Sequence, residues 1–191
     1  MFIYKSMLKY ALLGFLNYLP MTGYELESYM AATTSYFWHA KLSQVYMTLK
    51  KLEEEGLVTS RIEPQEDRPD RRVYTISEAG QGELRGWLSE PLTELEPKKD
   101  TLLLKLFFGA QIGKEGLLMQ LRLQRNIHER QLQYYRQQTP ELIARTVAQF
   151  PHLTQEAVMW EANRRHGELY EEMYVRWLDE TIQKLETNFP V

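Results

Sequence analysis

Eight prolines divide this chain into segments and so decide where long helices can form. Proline has no backbone N–H and clashes with the preceding turn, so it breaks a helix when it lies in the interior. The prolines leave three long proline-free stretches, 21–63, 98–139 and 152–189. The sequence therefore predicts that the long helices lie within these stretches.

The first 56 residues have the spacing of three helices. Apolar residues recur every three or four positions in 1–19, which indicates an amphipathic helix. Thr22 and Glu25 have the spacing of a capping box and predict the start of a second helix. Ser43 is expected to cap a third helix, which Gly56 should end.

The period then changes from helical to extended. Residues 57–62 and 72–76 are short β-branched runs, separated by a polar, proline-containing segment. Ser77 is expected to cap a fourth helix. The order of helix, helix, helix, hairpin and helix predicts a winged helix-turn-helix with a two-stranded wing over residues 1–90.

The remainder of the chain is predicted to be all helical. Residues 91–97 resemble a linker, and 98–191 are expected to form a helical dimerisation domain. The chain as a whole is therefore predicted to be mainly α. Residues 102–108 are apolar on nearly every side and are expected to be buried on several sides.

The last predicted helix, residues 154–188, is too long for a small domain. At about 1.5 Å per residue it spans roughly 50 Å. Its wide apolar stripe favours cover by a partner subunit, and a monomeric bundle with 114–138 as its sole packing partner is the alternative. The expected dimer-interface residues are Leu102, Phe107, Tyr170, Tyr174 and Trp177.

The third helix has the properties of a DNA-recognition helix. With Val45 and its apolar neighbours directed inward, the polar residues lie on the other side. Ser43 and Gln44 are near the N-terminal end, where such helices meet base edges, and Lys41 and Lys50 suit phosphates. An ordinary amphipathic helix with a solvated face has the same spacing, so both interpretations stay open.

The predicted wing carries both signs of charge. Four arginines suit phosphate contact or insertion into the minor groove, namely Arg61, Arg68, Arg71 and Arg72. Four acids lie among them within 61–72. A loop whose charges pair with one another is the alternative, unless strand alternation separates the two signs onto different faces. The acids also motivate a second hypothesis, in which the winged helix binds protein rather than DNA.

Overall composition excludes several other classes of protein. The formal net charge of −3 gives no global basic signature, so nonspecific affinity for nucleic acid is expected to be modest. The absence of cysteine excludes a disulfide scaffold and any thiolate metal site, and it fits a reducing cytoplasm. No segment approaches the roughly 18 apolar residues of a membrane span. No coherent catalytic motif is present, so we predict neither an enzyme nor a cofactor or metal.

Several motifs together resemble the PadR family of transcriptional regulators, and the match covers nearly the whole chain. In the first half they are Ala11-Leu-Leu-Gly-Phe-Leu16, Thr22-Gly-Tyr-Glu-Leu26, Phe37-Trp-His-Ala40, Ser43-Gln-Val-Tyr46, Leu49-x-x-Leu-Glu53, Glu55-Gly-Leu-Val58, Arg72-Val-Tyr-Thr-Ile76 and Glu78-x-Gly80. In the second half they are 100–108, Trp160 with Gly167-Glu-Leu-Tyr170, and Met173 with Trp177-Leu178. Met47 departs from the pattern, because many members have proline there.

The resemblance implies a homodimeric repressor of the bacterial cytoplasm whose C-terminal helices embrace the partner subunit. Small aromatic compounds, phenolic acids among them, release several such proteins from the operator. A dimer would place two recognition helices about 34 Å apart, over an inverted repeat in double-stranded DNA. The DNA contacts that the resemblance implies are Tyr24, Lys41, Ser43, Gln44, Tyr46 and Lys50, with Arg68, Arg71 and Arg72 in the wing.

Three residues are candidates for contacting an effector. Tyr10, His128 and Trp160 offer aromatic and polar surface at positions that can meet near the domain junction. Plain packing explains the same residues equally well, so both interpretations stay open. The identity of the effector does not follow from the sequence.

Overall fold

The computed structural model describes residues 2–34, 40–66, 70–94 and 99–188, with side chains from residue 7 onward. The chain divides into two compact units, Met1–Leu95 and Glu96–Val191. Within the described ranges, no helix is both long and apolar enough to cross a membrane.

Helices dominate both units, and the strands belong to the first. The helices of the first unit are α1 (Phe2–Tyr18), α2 (Gly23–Thr33), α3 (Leu42–Glu54) and α4 (Glu78–Ser89). Its strands are β1 (Met21–Thr22), β2 (Val58–Glu63) and β3 (Arg71–Ile76). The helices of the second unit are α5 (Thr101–Phe107), α6 (Lys114–Gln133), α7 (Thr139–Gln149) and α8 (Thr154–Asn188). The predicted fold class, a mainly α protein with an N-terminal winged helix-turn-helix, is confirmed.

The first unit has one hydrophobic core. Helix α1 contributes Leu12, Leu13 and Leu16, which are fully buried or nearly so. They pack with apolar residues of α2, α3 and α4 and of the sheet. Apolar residues at helical spacing in α1 form the stripe against which α3, α4 and β3 pack.

The helix-turn-helix begins as the sequence predicts, but its second helix starts earlier. The Thr22 N–H donates to Glu25 Oε2 at 2.8 Å, and the Glu25 N–H donates to Thr22 Oγ1 at 3.1 Å, which completes the capping box. The expectation that Ser43 caps α3 is wrong. Lys41 holds the extended N-cap position, and its N–H donates to Gln44 Oε1 at 2.9 Å. This bond satisfies a backbone N–H at the start of the helix that has no partner within the helix. Because the helix begins at Leu42, Ser43 lies inside its first turn and does not cap it.

The wing is a hairpin in a sheet of three strands rather than two. Strand β2 pairs antiparallel with β3, with Val58 opposite Ile76 and Glu63 opposite Arg71. The two-residue strand β1 pairs with the other edge of β3, giving the order β1-β3-β2. A strand of two residues shows no periodicity, which is why sequence analysis missed it. It joins the beginning of α2 directly to the wing.

In the second unit, α6 and α8 pack antiparallel. Arg122 pairs with Glu186 near one end and Arg125 with Asp179 further along, so the order reverses between the two helices. Their shared core is made of Leu117, Leu121, Tyr174 and Leu178. Helix α8 has 35 residues, about 52 Å in length, as the sequence predicts.

The Thr139-Pro140-Glu141 sequence predicts that Thr139 caps a new helix, but the break between α6 and α7 is milder than that. Residues Tyr134–Gln138 form a π turn, and the backbone stays helical through Thr139. Pro140 lacks an N–H and cannot make an ordinary helical hydrogen bond, so a wider turn relieves the mismatch.

Helix α5 is less buried within its own chain than the sequence predicts. Residues 102–108 were expected to be buried on several sides, but within the chain no residue of α5 is buried. Phe107 is 82% exposed, and Leu104 and Phe108 are exposed as well. Only one face of this short helix meets its own chain.

Candidate nucleic-acid interface

Helix α3 presents a polar face to solvent, as a recognition helix requires. Val45, Leu49 and Leu52 are buried in the core of the first unit. On the opposite side Ser43, Gln44, Met47, Lys50 and Lys51 are exposed. The structure therefore brings the predicted α3 residues together on one accessible surface.

Gln44 already has a structural task at the start of this helix. Its Oε1 accepts the N–H of Lys41 at 2.9 Å. A bidentate pair with adenine uses the carboxamide oxygen as acceptor and the nitrogen as donor. Because this oxygen has two lone pairs, Gln44 can read adenine and keep the Lys41 N–H only if the base approaches the second lone pair.

Two tyrosines flank the polar face of α3. Tyr24, at the start of α2, is exposed. The ring of Tyr46 lies against Gly23, where a Cβ atom would come within 2.6 Å of Tyr46 Cε1. Glycine at position 23 thus lets α3 pack closely on the first turn of α2, which fixes the Tyr46 ring at the edge of the exposed face.

Lys50 and Lys51 have acidic neighbours one turn away. Lys50 Nζ lies 3.9 Å from Glu54 Oε1, and Lys51 Nζ lies 3.5 Å from Glu55 Oε1. Both lysines are largely exposed, and pairs of this kind are weak. Each ammonium group can therefore leave its neighbour for a phosphate at little cost.

The wing arginines of the described structure all pair with acids. Arg61 binds Glu63 at 2.7 Å on the same strand, so strand alternation does not separate these two charges. Arg71 Nη2 donates to Glu25 Oε1 of α2 at 2.7 Å. Arg72 Nη2 donates to Glu53 Oε2 of α3 at 2.6 Å, and its Nε donates to Ser60 Oγ. Arg68 lies outside the described residues.

The acids that hold Arg71 and Arg72 are ionised at neutral pH. Burial opposes the ionisation of Glu25, but hydrogen bonds from Thr22 and Arg71 outweigh it and hold the pKa below its ordinary value. The hydrogen bond from Ser60 and the ion pair with Arg72 lower the pKa of Glu53, and together they outweigh burial, which raises it. Both ion pairs are therefore fully charged under physiological conditions.

Sequence reasoning missed Glu25 and Glu53 as partners of the wing. The sequence analysis places Glu25 in a capping box alone and names no partner for Glu53. The sequence separations, 46 residues for Arg71–Glu25 and 19 for Arg72–Glu53, carry no local signal. Only the tertiary fold brings β3 close enough for Arg71 to reach Glu25 of α2 and for Arg72 to reach Glu53 of α3.

The three effector candidates lie in different units. Tyr10 belongs to the first, where its ring stacks on Trp87 at 4.6 Å and its hydroxyl donates to Glu83 at 3.2 Å. His128 belongs to the second, where Nδ1 lies 2.5 Å from Oε2 of the buried Glu171. Trp160 is a partly buried residue of α8.

In the part of the chain that the structure describes, no cluster of acidic and histidine side chains is arranged to hold a metal ion.

The predicted dimer-interface residues differ in exposure. Phe107 projects into solvent, whereas Leu102, Tyr170 and Trp177 are partly buried. Tyr174 is only 6% exposed, and its ring stacks on that of His128. Its hydroxyl donates a hydrogen bond to Asp100 Oδ2 at 2.8 Å. Tyr174 therefore belongs to the core of its own chain.

A winged helix whose third helix exposes a polar face is a typical DNA-binding fold, and comparison with known proteins gives the class as transcriptional regulators, which are not enzymes. The family model for the transcriptional regulator PadR-like family matches residues 12–86, and the model for the virulence activator alpha C-terminal region matches 98–186. A probable transcriptional regulator of Mycobacterium tuberculosis is 30% identical over 174 residues, which cover 86% of this chain and 90% of that protein. The chain belongs to the PadR-like family of transcriptional regulators, as its sequence motifs indicate.

Solved structures of the family have the same fold. Bacillus subtilis PadR in complex with operator DNA superposes with a TM-score of 0.80 at 28% identity, covering 94% of this chain and 97% of that chain. PadR in complex with p-coumaric acid gives 0.72 at 28% identity, covering 94% and 98%. The Vibrio cholerae virulence activator AphA gives 0.69 at 26% identity, again covering 94% and 98%. The negative transcriptional regulator PadR of B. subtilis aligns at 37% identity over 108 residues, which span 56% of this chain and 59% of that protein.

Proposed function

We propose that this protein is a homodimeric repressor of the cytoplasm that binds an inverted-repeat operator through α3 and leaves it when a small aromatic compound binds. The observation that carries the proposal is the accessible polar face of α3. The likeness to PadR in complex with operator DNA supports the same assignment. Repression is chosen over activation because the relative with 37% identity is a negative regulator.

The exposed residues of α3 differ in chemistry, so we expect them to contact different parts of the DNA. Ser43 and Gln44, near the helix N-terminus, are suited to base edges in the major groove. Lys41 and Lys50 are suited to phosphates on either side. Because residues 1–90 carry 10 bases and 12 acids, few phosphates are neutralised and shape must contribute to affinity.

The dimer would form through the second unit. Each of its helices α5, α6 and α8 leaves large apolar side chains exposed. They are Leu103, Leu104 and Phe107 on α5, Met119, Leu123 and Ile127 on α6, and Val158, Met159, Leu169 and Met173 on α8. Monomeric proteins rarely leave so much apolar surface in contact with water, whereas subunit interfaces cover it.

The effector step follows from thermodynamic linkage. A ligand releases DNA only if it binds the released state better than the DNA-bound state. The complex of PadR with p-coumaric acid supports a phenolic compound as the ligand class. Tyr10, His128 and Trp160 each combine an aromatic ring with a polar group, so we propose each as a contact to be tested by substitution on its own.

Fluorescence anisotropy with labelled fragments from upstream of the protein's own gene tests operator binding. We expect saturable, sequence-specific binding at moderate salt, together with a dimer in sedimentation equilibrium. A confirmed dimer that shows no preference for any upstream fragment over random DNA would sink the operator assignment. Capture of proteins that survives nuclease treatment would favour a protein-binding role instead.

Lys50 allows the electrostatic part of the proposal to be measured. Each phosphate contact contributes about 0.9 to the slope of log K against log salt concentration. Lys50→Ala should weaken binding and lower that slope by about one. The exposed Lys184 of α8 provides the matched control, and Lys184→Ala should leave both quantities unchanged. A slope that stays the same in Lys50→Ala removes Lys50 from the phosphate contacts.

A further inference from the structure

Adjacent arginines on β3 reach to opposite sides of the strand. Successive side chains of a β-strand point to opposite faces. Arg71 therefore reaches α2, where it binds Glu25, and Arg72 reaches α3, where it binds Glu53. Strand β3 is thus bonded to both helices of the helix-turn-helix. We call these two ion pairs, with Ser60, the arginine clamp.

On the α3 side the clamp forms a closed ring of hydrogen bonds. Arg72 Nε donates to Ser60 Oγ at 2.9 Å, and Arg72 Nη2 donates to Glu53 Oε2 at 2.6 Å. Ser60 Oγ in turn donates to Glu53 Oε1 at 2.6 Å. The guanidinium also lies 5.5 Å from the centre of the Tyr74 ring. Two nitrogens of one arginine are therefore used to join β2, β3 and the last turn of α3.

On the α2 side the clamp reuses the capping box. Glu25 Oε2 accepts the N–H and the hydroxyl of Thr22, and Oε1 accepts Arg71 at 2.7 Å. Thr22 itself lies in β1, opposite Val73 of β3. One carboxylate therefore fixes the start of α2 and also ties it to the wing.

We propose that Arg71 and Arg72 position the wing relative to the recognition helix and do not contact phosphate. This inference rests on the proposed DNA binding. An arginine that turned to a phosphate would exchange one charge-assisted bond for another of similar strength. It would also leave an ionised Glu25 or Glu53 unpaired beside the polyanion. That repulsion makes the exchange unfavourable, so the pairs stay closed in the complex.

The sign of one substitution separates positioning from phosphate contact. Glu53→Ala removes a negative charge near DNA, so electrostatics alone would raise operator affinity. If the clamp positions the wing, affinity falls instead, by roughly threefold to tenfold, the effect of losing a partly exposed charged hydrogen bond. Glu54→Ala, the matched control on the next residue, should raise affinity because it frees Lys50.

Arg72 gives two independent readouts in the same anisotropy assay. Arg72→Ala should lower operator affinity without changing the slope against salt concentration, since no phosphate contact is lost. Arg72→Lys should be as weak as Arg72→Ala, because an ammonium group cannot bridge Ser60 and Glu53 with the planar fork of arginine. A lysine would preserve a simple phosphate contact.

The outcomes distinguish this inference from the proposed function. Thermal unfolding of each variant establishes that it is folded. If the wild-type protein binds no operator, the proposed function itself is refuted. If the wild-type protein binds but Glu53→Ala binds more tightly, Arg72→Ala loses about one in slope, or Arg72→Lys behaves as wild type, the clamp is refuted and operator binding stands.

Discussion

Glu168 on α8 is held by three arginines, and its replacement gives the sharpest stability prediction. Arg164 donates to Glu168 Oε2 at 2.8 Å, Arg136 donates to Oε1 at 3.2 Å, and Arg165 lies 3.0 Å from Oε2. The hydrogen bond from Arg164 contributes most to lowering the pKa of Glu168 from 4.5 to about 2, and hydrogen bonds from Arg165 and Arg136 add to it. Burial acts in the opposite direction but is outweighed. Glu168→Gln should therefore destabilise the second unit substantially at neutral pH.

The size of the effect follows from the pKa of Glu168. A pKa of about 2 in the folded state, against 4.5 when unfolded, corresponds to about 3 kcal/mol of stability. Because the folded-state pKa is the lower one, this stability is fully present above pH 4.5 and is lost as the pH falls towards 2. Solvent screening reduces the value, so we expect about 1–3 kcal/mol at pH 7.

Urea unfolding followed by circular dichroism, at fixed protein concentration, measures the effect. The wild-type protein should exceed Glu168→Gln in free energy of unfolding at pH 7, and the difference should shrink between pH 4.5 and pH 3. Glu172, which only approaches Arg136 at 3.4 Å, is the matched control, and Glu172→Gln should cost less than about 1 kcal/mol. A difference for Glu168→Gln that is independent of pH, or equal to that of the control, would refute the reasoning.

Three further predictions concern packing, assembly and the effector. Gly80→Ala should destabilise the first unit by about 1–3 kcal/mol, because the added Cβ would overlap the Leu57 carbonyl oxygen. Gly82→Ala in the same helix is the control. Its Cβ would meet nothing within 4 Å, so the substitution should be neutral or stabilising. Phe107→Ser should shift the dimer towards monomer in sedimentation equilibrium, while Ser in place of the equally exposed Leu92 of the first unit should not. Phenolic acids should raise the melting temperature and release DNA in the anisotropy assay, and an absence of both effects for every phenolic tested would count against the effector class.

Much of the fold was predictable because the signals are local. The Thr22–Glu25 capping box and the Ser77 cap of α4 depend on residues three apart, and both form as predicted. The amphipathic face of α3 follows from its 3.6-residue period, so its exposed residues were also predictable. The start of α3 was not, because a serine in the sequence is an adequate cap but the Gln44 carboxamide bonds the Lys41 backbone instead.

The roles of the wing arginines were not predictable from the sequence. Their charges suit DNA as well as they suit acids, and the chain offers several acids nearby. Which carboxylate each one meets depends on the tertiary contacts that place Arg71 beside Glu25 of α2 and Arg72 beside Glu53 of α3. The sequence also predicted too much burial for α5 within its own chain, because a helix that is apolar on every side has the same sequence whether its own chain or another covers it.

The helices, the hairpin, the order of elements and the family were predictable, because periodicity, caps and motifs depend on residues close together in the sequence. The third strand, the partners of Arg71 and Arg72 and the exposed side of α5 became apparent only in the folded chain. The difference lies in the separation of the interacting residues along the chain. A hydrogen bond within one helical turn is specified by a few residues, whereas an ion pair across 46 residues exists only after the core has fixed both ends.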